Sequence, residues 1–123
     1  MEYRTLGKTG LDVSVISYGA SGLGNILGTP DEERGVRAVH TAIDLGINLI
    51  DTSPLYGATK SETLLGKALK GIPRDSYYLA TKLGRYAGGV SDFSAKRIVE
   101  SVEESLRRLG MDYVDILQCH DID

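Results

Sequence analysis

Short extended-pattern runs at residues 13–18, 47–50, 77–81 and 113–119 alternate with helix-patterned stretches, and this alternation constrains the fold most. The first helix is expected to start at Thr29, with Pro30 in its first turn and Glu32 completing a capping box. Val36, Val39 and Ile43 fall on one face of it, and Gly46 ends it. Ser61 is expected to cap a second helix whose apolar face carries Leu64, Leu65, Ala68 and Leu69, stopped by Gly71 and Pro73. Ser94 starts a third, with Ile98, Val102, Leu106 and Leu109 inward, Arg107 and Arg108 in the last turn and Gly110 at the end. Before all of this, residues 3–14 read as a small hairpin turning at Lys8, Thr9 and Gly10. A hairpin, three strand–helix units and a last strand imply an α/β fold, a parallel sheet covered by helices.

The chain's 123 residues suffice for a single segment with a modest core, spanning 1–123. Its net charge is −3 with both signs interleaved, which gives no electrostatic footprint for nucleic acid. No apolar run is long enough to span a bilayer and the first residues carry no signal-peptide pattern, so neither membrane nor export is expected. The single cysteine, Cys119, cannot form an internal disulfide, which fits a reducing cytoplasm.

Chemistry concentrates where the strands end. Asp51 closes the second run with Tyr56 just beyond it, Lys82 follows the third, and His120 follows the fourth. In parallel α/β folds these ends share one rim, where ligands bind. A free tyrosine, with a pKa of about 10, is a poor proton shuttle near neutrality. A nearby ammonium favours the phenolate, and a carboxylate holds the ammonium in place. Asp51, Lys82 and Tyr56 supply those parts, while His120 could orient a substrate oxygen or help transfer a proton. Such a site suits proton exchange at a carbonyl or alcohol oxygen while hydride moves at the attached carbon. Because side chains cannot donate hydride, a nicotinamide cofactor is implied.

The stretches Asp51-Thr-Ser-Pro-Leu-Tyr-Gly57, Ser61-Glu-Thr-Leu-Leu-Gly66, Ala80-Thr-Lys82 and Asp112-Tyr-Val-Asp-Ile-Leu-Gln-Cys-His120 together resemble the aldo-keto reductases. The opening Tyr3-Arg-Thr-Leu-Gly-Lys-Thr-Gly-Leu11 and the loop Gly19-Ala-Ser-Gly-Leu-Gly24 match that family too. The resemblance implies a (β/α)8 TIM barrel, NAD or NADP as cofactor, and a catalytic tetrad of Asp51, Tyr56, Lys82 and His120, with Tyr56 as general acid or base. It also implies that Gly19, Ala20, Ser21 and Asp51 approach the nicotinamide half. The longer spacing from Tyr56-Gly57 to Ser61-Glu62, and the stretch Cys119-His-Asp-Ile122, resemble the L-galactose and related aldose dehydrogenases within the family. Since such a barrel takes roughly 250 residues, the chain is expected to be its N-terminal half: the hairpin, four strands and three helices. Inactivity in isolation, and self-association or pairing with the missing barrel half, follow as expectations.

Taken singly, each tetrad residue has a structural explanation: a loop-capping acid, a packed aromatic, a solvated rim lysine, a satisfied strand-end histidine. Their placement at matched strand ends favours chemistry. Two rival functions stand beside the oxidoreductase: a barrel lyase forming a Schiff base on Lys82, and a non-catalytic, cofactor-sensing regulatory subunit. The glycines at 22, 24 and 28 miss the dinucleotide-binding spacing by one residue. No metal site is expected, because His120 lacks a companion histidine cluster and His40 lies mid-helix, on its surface. Cys119 is expected to point away from the His120 side and be buried, and Gly66 to mark close packing.

Overall fold

The computed structural model describes residues 1–25 and 31–121. Strands β1 (Tyr3–Thr5) and β2 (Asp12–Ser14) form the antiparallel hairpin. Then follow β3 (Tyr18–Gly19), α1 (Glu32–Asp44), β4 (Leu49–Asp51), α2 (Lys60–Leu69) and β5 (Tyr78–Leu83). A small antiparallel ribbon, β6 (Arg85–Tyr86) with β7 (Val90–Ser91), precedes α3 (Ala95–Leu109) and β8 (Ile116–Cys119). The main sheet runs β3-β4-β5-β8, all parallel and in chain order, as successive strands of a barrel do.

The expected single strand at 13–18 is two. Ser14 bonds the Ile16 carbonyl through its own hydroxyl and so turns the chain, leaving Val15 and Ile16 exposed between β2 and β3. Asn48 ties the hairpin to the sheet: its Oδ1 accepts from Ser14 N at 2.7 Å and its amide donates to the Asp12 carbonyl.

Helix α1 is capped by Asp31, whose carboxylate accepts from Glu33 N; Thr29 and Pro30 lie outside the described residues. Ser61 is not a cap. Thr59 takes that place in a left-handed conformation, and Ser61 sits inside α2, fully buried. Its hydroxyl donates to the Ala20 carbonyl at 2.7 Å and therefore accepts from Thr52 Oγ1 at 2.9 Å, pinning α2 to the ends of β3 and β4. Ser94 caps α3 as expected, accepting from Arg97 N.

The core lies between sheet and helices, where Ile50 and Leu79 meet Val39, Leu64, Leu65, Leu69 and Leu109. Helix α3 buries Ser101, Ser105 and Leu109, while Ile98, Val102 and Leu106 are half-buried rather than inward. Small serines on the buried stripe permit the close approach, as does Gly66, where a Cβ would lie 2.6 Å from the Arg108 carbonyl. Across this α2–α3 contact the fully buried Glu62 accepts from Thr81 Oγ1 at 2.7 Å and from Arg108 Nε at 2.7 Å. His40 is on the α1 surface as expected, with its Nε2 2.8 Å from the Ala68 carbonyl. Among the described residues no helix is long and apolar enough to cross a membrane.

Candidate active site

Strand register decides which side chains meet. Asp51 is paired with Ala80, and Lys82 with Gln118. Alternation along each strand then sets Asp51, Lys82 and His120 on one face, and Thr52 and Thr81 on the other, toward α2. The contacts agree: Thr52 and Thr81 bond Ser61 and Glu62 of α2. Lys82, expected just past its strand, lies one residue inside the end of β5.

On the shared face Lys82 Nζ donates to Asp51 Oδ2 at 2.5 Å and to the Thr52 carbonyl at 3.0 Å. The lysine side chain is 12% exposed and the carboxylate 30%, so the pair stands at the rim with its lysine largely shielded. The same Nζ lies 4.9 Å from the Tyr56 ring centroid. The His120 ring meets the Tyr56 ring edge-on, centroids 5.8 Å apart. Burial holds the His120 imidazole below its ordinary pKa. Asp121 and Asp51 pull the other way, and the Lys82 and Arg85 cations reinforce the depression. All four expected tetrad residues therefore converge in one cluster.

The other expected positions divide. Gly19 is exposed and directly paired with Asp51, and nothing lies within 4 Å of where its Cβ would stand. Ser21 is half-buried in the 3-10 turn Ala20–Gly24. Ala20 is fully buried in the core, its carbonyl occupied by Ser61, so its methyl faces the packing rather than the rim. The rim beside Gly19 is therefore open, next to Asp51 of the adjacent strand.

Cys119 does alternate away from His120, but it is exposed, not buried. Three of the four residues of β8 are exposed, and among the described residues no helix covers this stretch of its outer face.

Sequence reasoning missed Ser53. It is fully buried, and its Oγ lies 3.1 Å from His120 Nδ1. Its place inside the stretch running from Asp51 to Gly57 was the available signal. Missed too was the use of consecutive residues 51–53 as a bracket, in which Asp51 and the Thr52 carbonyl hold Lys82 and Ser53 holds His120.

The sequence pattern of the Aldo/keto reductase family matches residues 15–123. An L-galactose dehydrogenase of Arabidopsis thaliana is 54% identical over 125 residues, covering all of this chain and 39% of that protein. A probable voltage-gated potassium channel subunit beta, also of Arabidopsis thaliana, is 38% identical over 125 residues, covering 98% of this chain and 37% of its own length. Among solved structures, the aldo-keto reductase AKR11C1 from Bacillus halodurans superposes with a TM-score of 0.87 at 41% identity, over 98% of this chain and 40% of that one. The chain thus spans less than half the length of these relatives. With the four-strand parallel array, the rim cluster and these likenesses in agreement, the chain belongs to the aldo/keto reductase family.

Proposed function

We propose that this chain carries the proton-handling half of an NAD(P)-dependent oxidoreductase site that acts on an aldose or another carbonyl or alcohol. The observation that supports this best is the convergence of Asp51, Lys82, Tyr56 and His120 on one rim. Bound nicotinamide would supply or accept the hydride, with Gly19 and Asp51 beside it. Tyr56 exchanges the proton with the substrate oxygen as general acid or base. Lys82, held by Asp51 and the Thr52 carbonyl, places a cation beside the Tyr56 ring, where it stabilises negative charge on the phenol. His120 faces the same space and orients the substrate oxygen. The 54% identity to an L-galactose dehydrogenase favours an aldose among the carbonyl and alcohol substrates. The lone, exposed Cys119 suits a reducing, cytoplasmic setting.

A second reading is a cofactor-binding regulatory subunit, favoured by the 38% identity to a potassium channel subunit beta. A Schiff base on Lys82 is disfavoured, because its nitrogen is already committed to a carboxylate and a carbonyl.

The test is nicotinamide absorbance in the full-length protein offered NAD or NADP with a panel of aldoses, alcohols and carbonyls, in wild type and Tyr56→Phe. Turnover that falls by about 10²- to 10⁴-fold in Tyr56→Phe, with cofactor affinity kept, supports the oxidoreductase. Cofactor binding with no turnover over the whole panel supports the regulatory subunit. Borohydride trapping of substrate on Lys82 overturns both.

A further inference from the structure

Ser53 has a hydrogen-bond inventory that constrains its neighbour. The hydroxyl carries one proton and two lone pairs. One lone pair takes the Leu55 N–H at 3.1 Å, while the Ser53 carbonyl takes the Tyr56 N–H at 3.1 Å. Pro54 between them has no N–H to compete and a fixed φ, so the turn holds the hydroxyl in place. The remaining partner of Ser53 Oγ is His120 Nδ1 at 3.1 Å.

The proton on this last bond can sit on either atom, and the two arrangements differ in cost. With a proton on Nδ1, both lone pairs of Ser53 would be filled by N–H donors, leaving its own proton without an acceptor in a fully buried site. With the serine donating, its own proton and the His120 Nδ1 lone pair satisfy each other, and the Leu55 N–H keeps its acceptor. We propose that Ser53 is a positioning residue that donates its hydroxyl proton to His120 Nδ1, fixing the imidazole as its Nε2–H tautomer. His120 Nε2 is then a donor, and the nearest carboxylate oxygen among the described residues, Asp121 Oδ2, is 4.0 Å away, too far to consume it. The N–H is left for an oxygen placed beside the Tyr56 ring.

The tautomer stands independently of catalysis; its use toward a substrate oxygen rests on the oxidoreductase reading above. The experiment is ¹⁵N NMR of histidine-labelled full-length protein, with His120 assigned by its loss in His120→Gln. At neutral pH the wild type is expected to show Nδ1 as the bare, hydrogen-bonded nitrogen and Nε2 as the protonated one. Ser53→Ala is expected to raise the Nδ1–H population about fivefold, the factor an ordinary hydrogen bond supplies. It should also move the His120 titration upward, because a bond to the neutral ring is lost. Ser53→Thr, which keeps the hydroxyl, should restore the wild-type pattern. A proton on Nδ1 in the wild type overturns the proposal even if Ser53→Ala does not fold. Wild-type tautomer and titration in a folded Ser53→Ala overturn it as well. Since the readout needs no turnover, an inactive protein with the expected tautomer would count against the oxidoreductase alone.

Discussion

Gly57 and Gly24 cross so closely that a Cβ on Gly57 would lie 2.0 Å from the Gly24 carbonyl oxygen. Gly57 also has φ +62, a left-handed backbone that a side chain resists. A Cβ on Gly24 would in turn meet the Gly57 nitrogen and the Tyr56 carbonyl carbon at 2.7 Å. This crossing sets where the backbone of Tyr56 stands, so the position of Tyr56 depends on two absent side chains.

Gly24→Ala is therefore expected to destabilise the protein by about 1–3 kcal/mol, the usual cost of overpacking. It should also lower kcat, because Tyr56 must shift to make room. Chemical denaturation and steady-state kinetics check the pair of effects. An unchanged kcat in a destabilised variant would mean that Tyr56 does not depend on the crossing.

Lys82→Met leaves Asp51 without its cation and removes the charge 4.9 Å from the Tyr56 ring. The expected result is a kcat loss on the order of 10²-fold or more with cofactor dissociation changed only severalfold. Asp51→Asn should be milder, since the Thr52 carbonyl still holds the lysine. Stopped-flow rates and fluorescence titration of the cofactor separate the two quantities; equal losses in both would point to collapse of the rim.

The buried Glu62 predicts a thermodynamic asymmetry. Arg108→Met strands a fully buried carboxylate with only the Thr81 hydroxyl, and should cost about 3–5 kcal/mol. Adding Glu62→Leu to Arg108→Met removes the stranded charge and should recover much of that loss. A double-mutant cycle by urea unfolding measures it, and additive losses would deny that the two charges depend on each other.

The depressed pKa of His120 predicts a pH dependence of known sign. Burial, its largest cause, disfavours the imidazolium in the folded protein. Between the folded value and the unfolded value of about 6.5, the unfolded chain binds more protons, so stability rises with pH there. The full stability is present above about pH 6.5 and declines as pH falls toward the lower folded value. His120→Gln removes this contribution, and its stability should fall less between pH 7 and pH 5 than that of the wild type. Identical acid-side slopes in thermal unfolding would place the titrating group elsewhere.

Local sequence determined a great deal of this protein. The apolar stripe of Leu64, Leu65, Ala68 and Leu69, the Ser94 cap and the alternation of element types follow from periods of 3.6 and 2 and from hydrogen bonds spanning a few residues. They are legible because their physics is short-range. The clustering of Asp51, Lys82 and His120 was legible for a related reason: each stands at or beside the end of a strand, and a parallel sheet gathers strand ends on one rim, with Tyr56 in the turn after β4.

Other outcomes depended on partners far along the chain, and these only the tertiary structure decided. Ser61 has a cap's chemistry, yet the Ala20 carbonyl, 41 residues away, takes its proton, and Thr59 becomes the cap residue. Cys119 is apolar enough to bury but lies on strand β8 where no described helix covers it. Ser53 reads as one more turn serine until β8 brings His120, 67 positions later, to within 3.1 Å of its hydroxyl. A side chain's period and cap chemistry are set by its near neighbours. Which acceptor its proton reaches, and whether water reaches it, are set by the packing of strands and helices against one another, which no local pattern encodes.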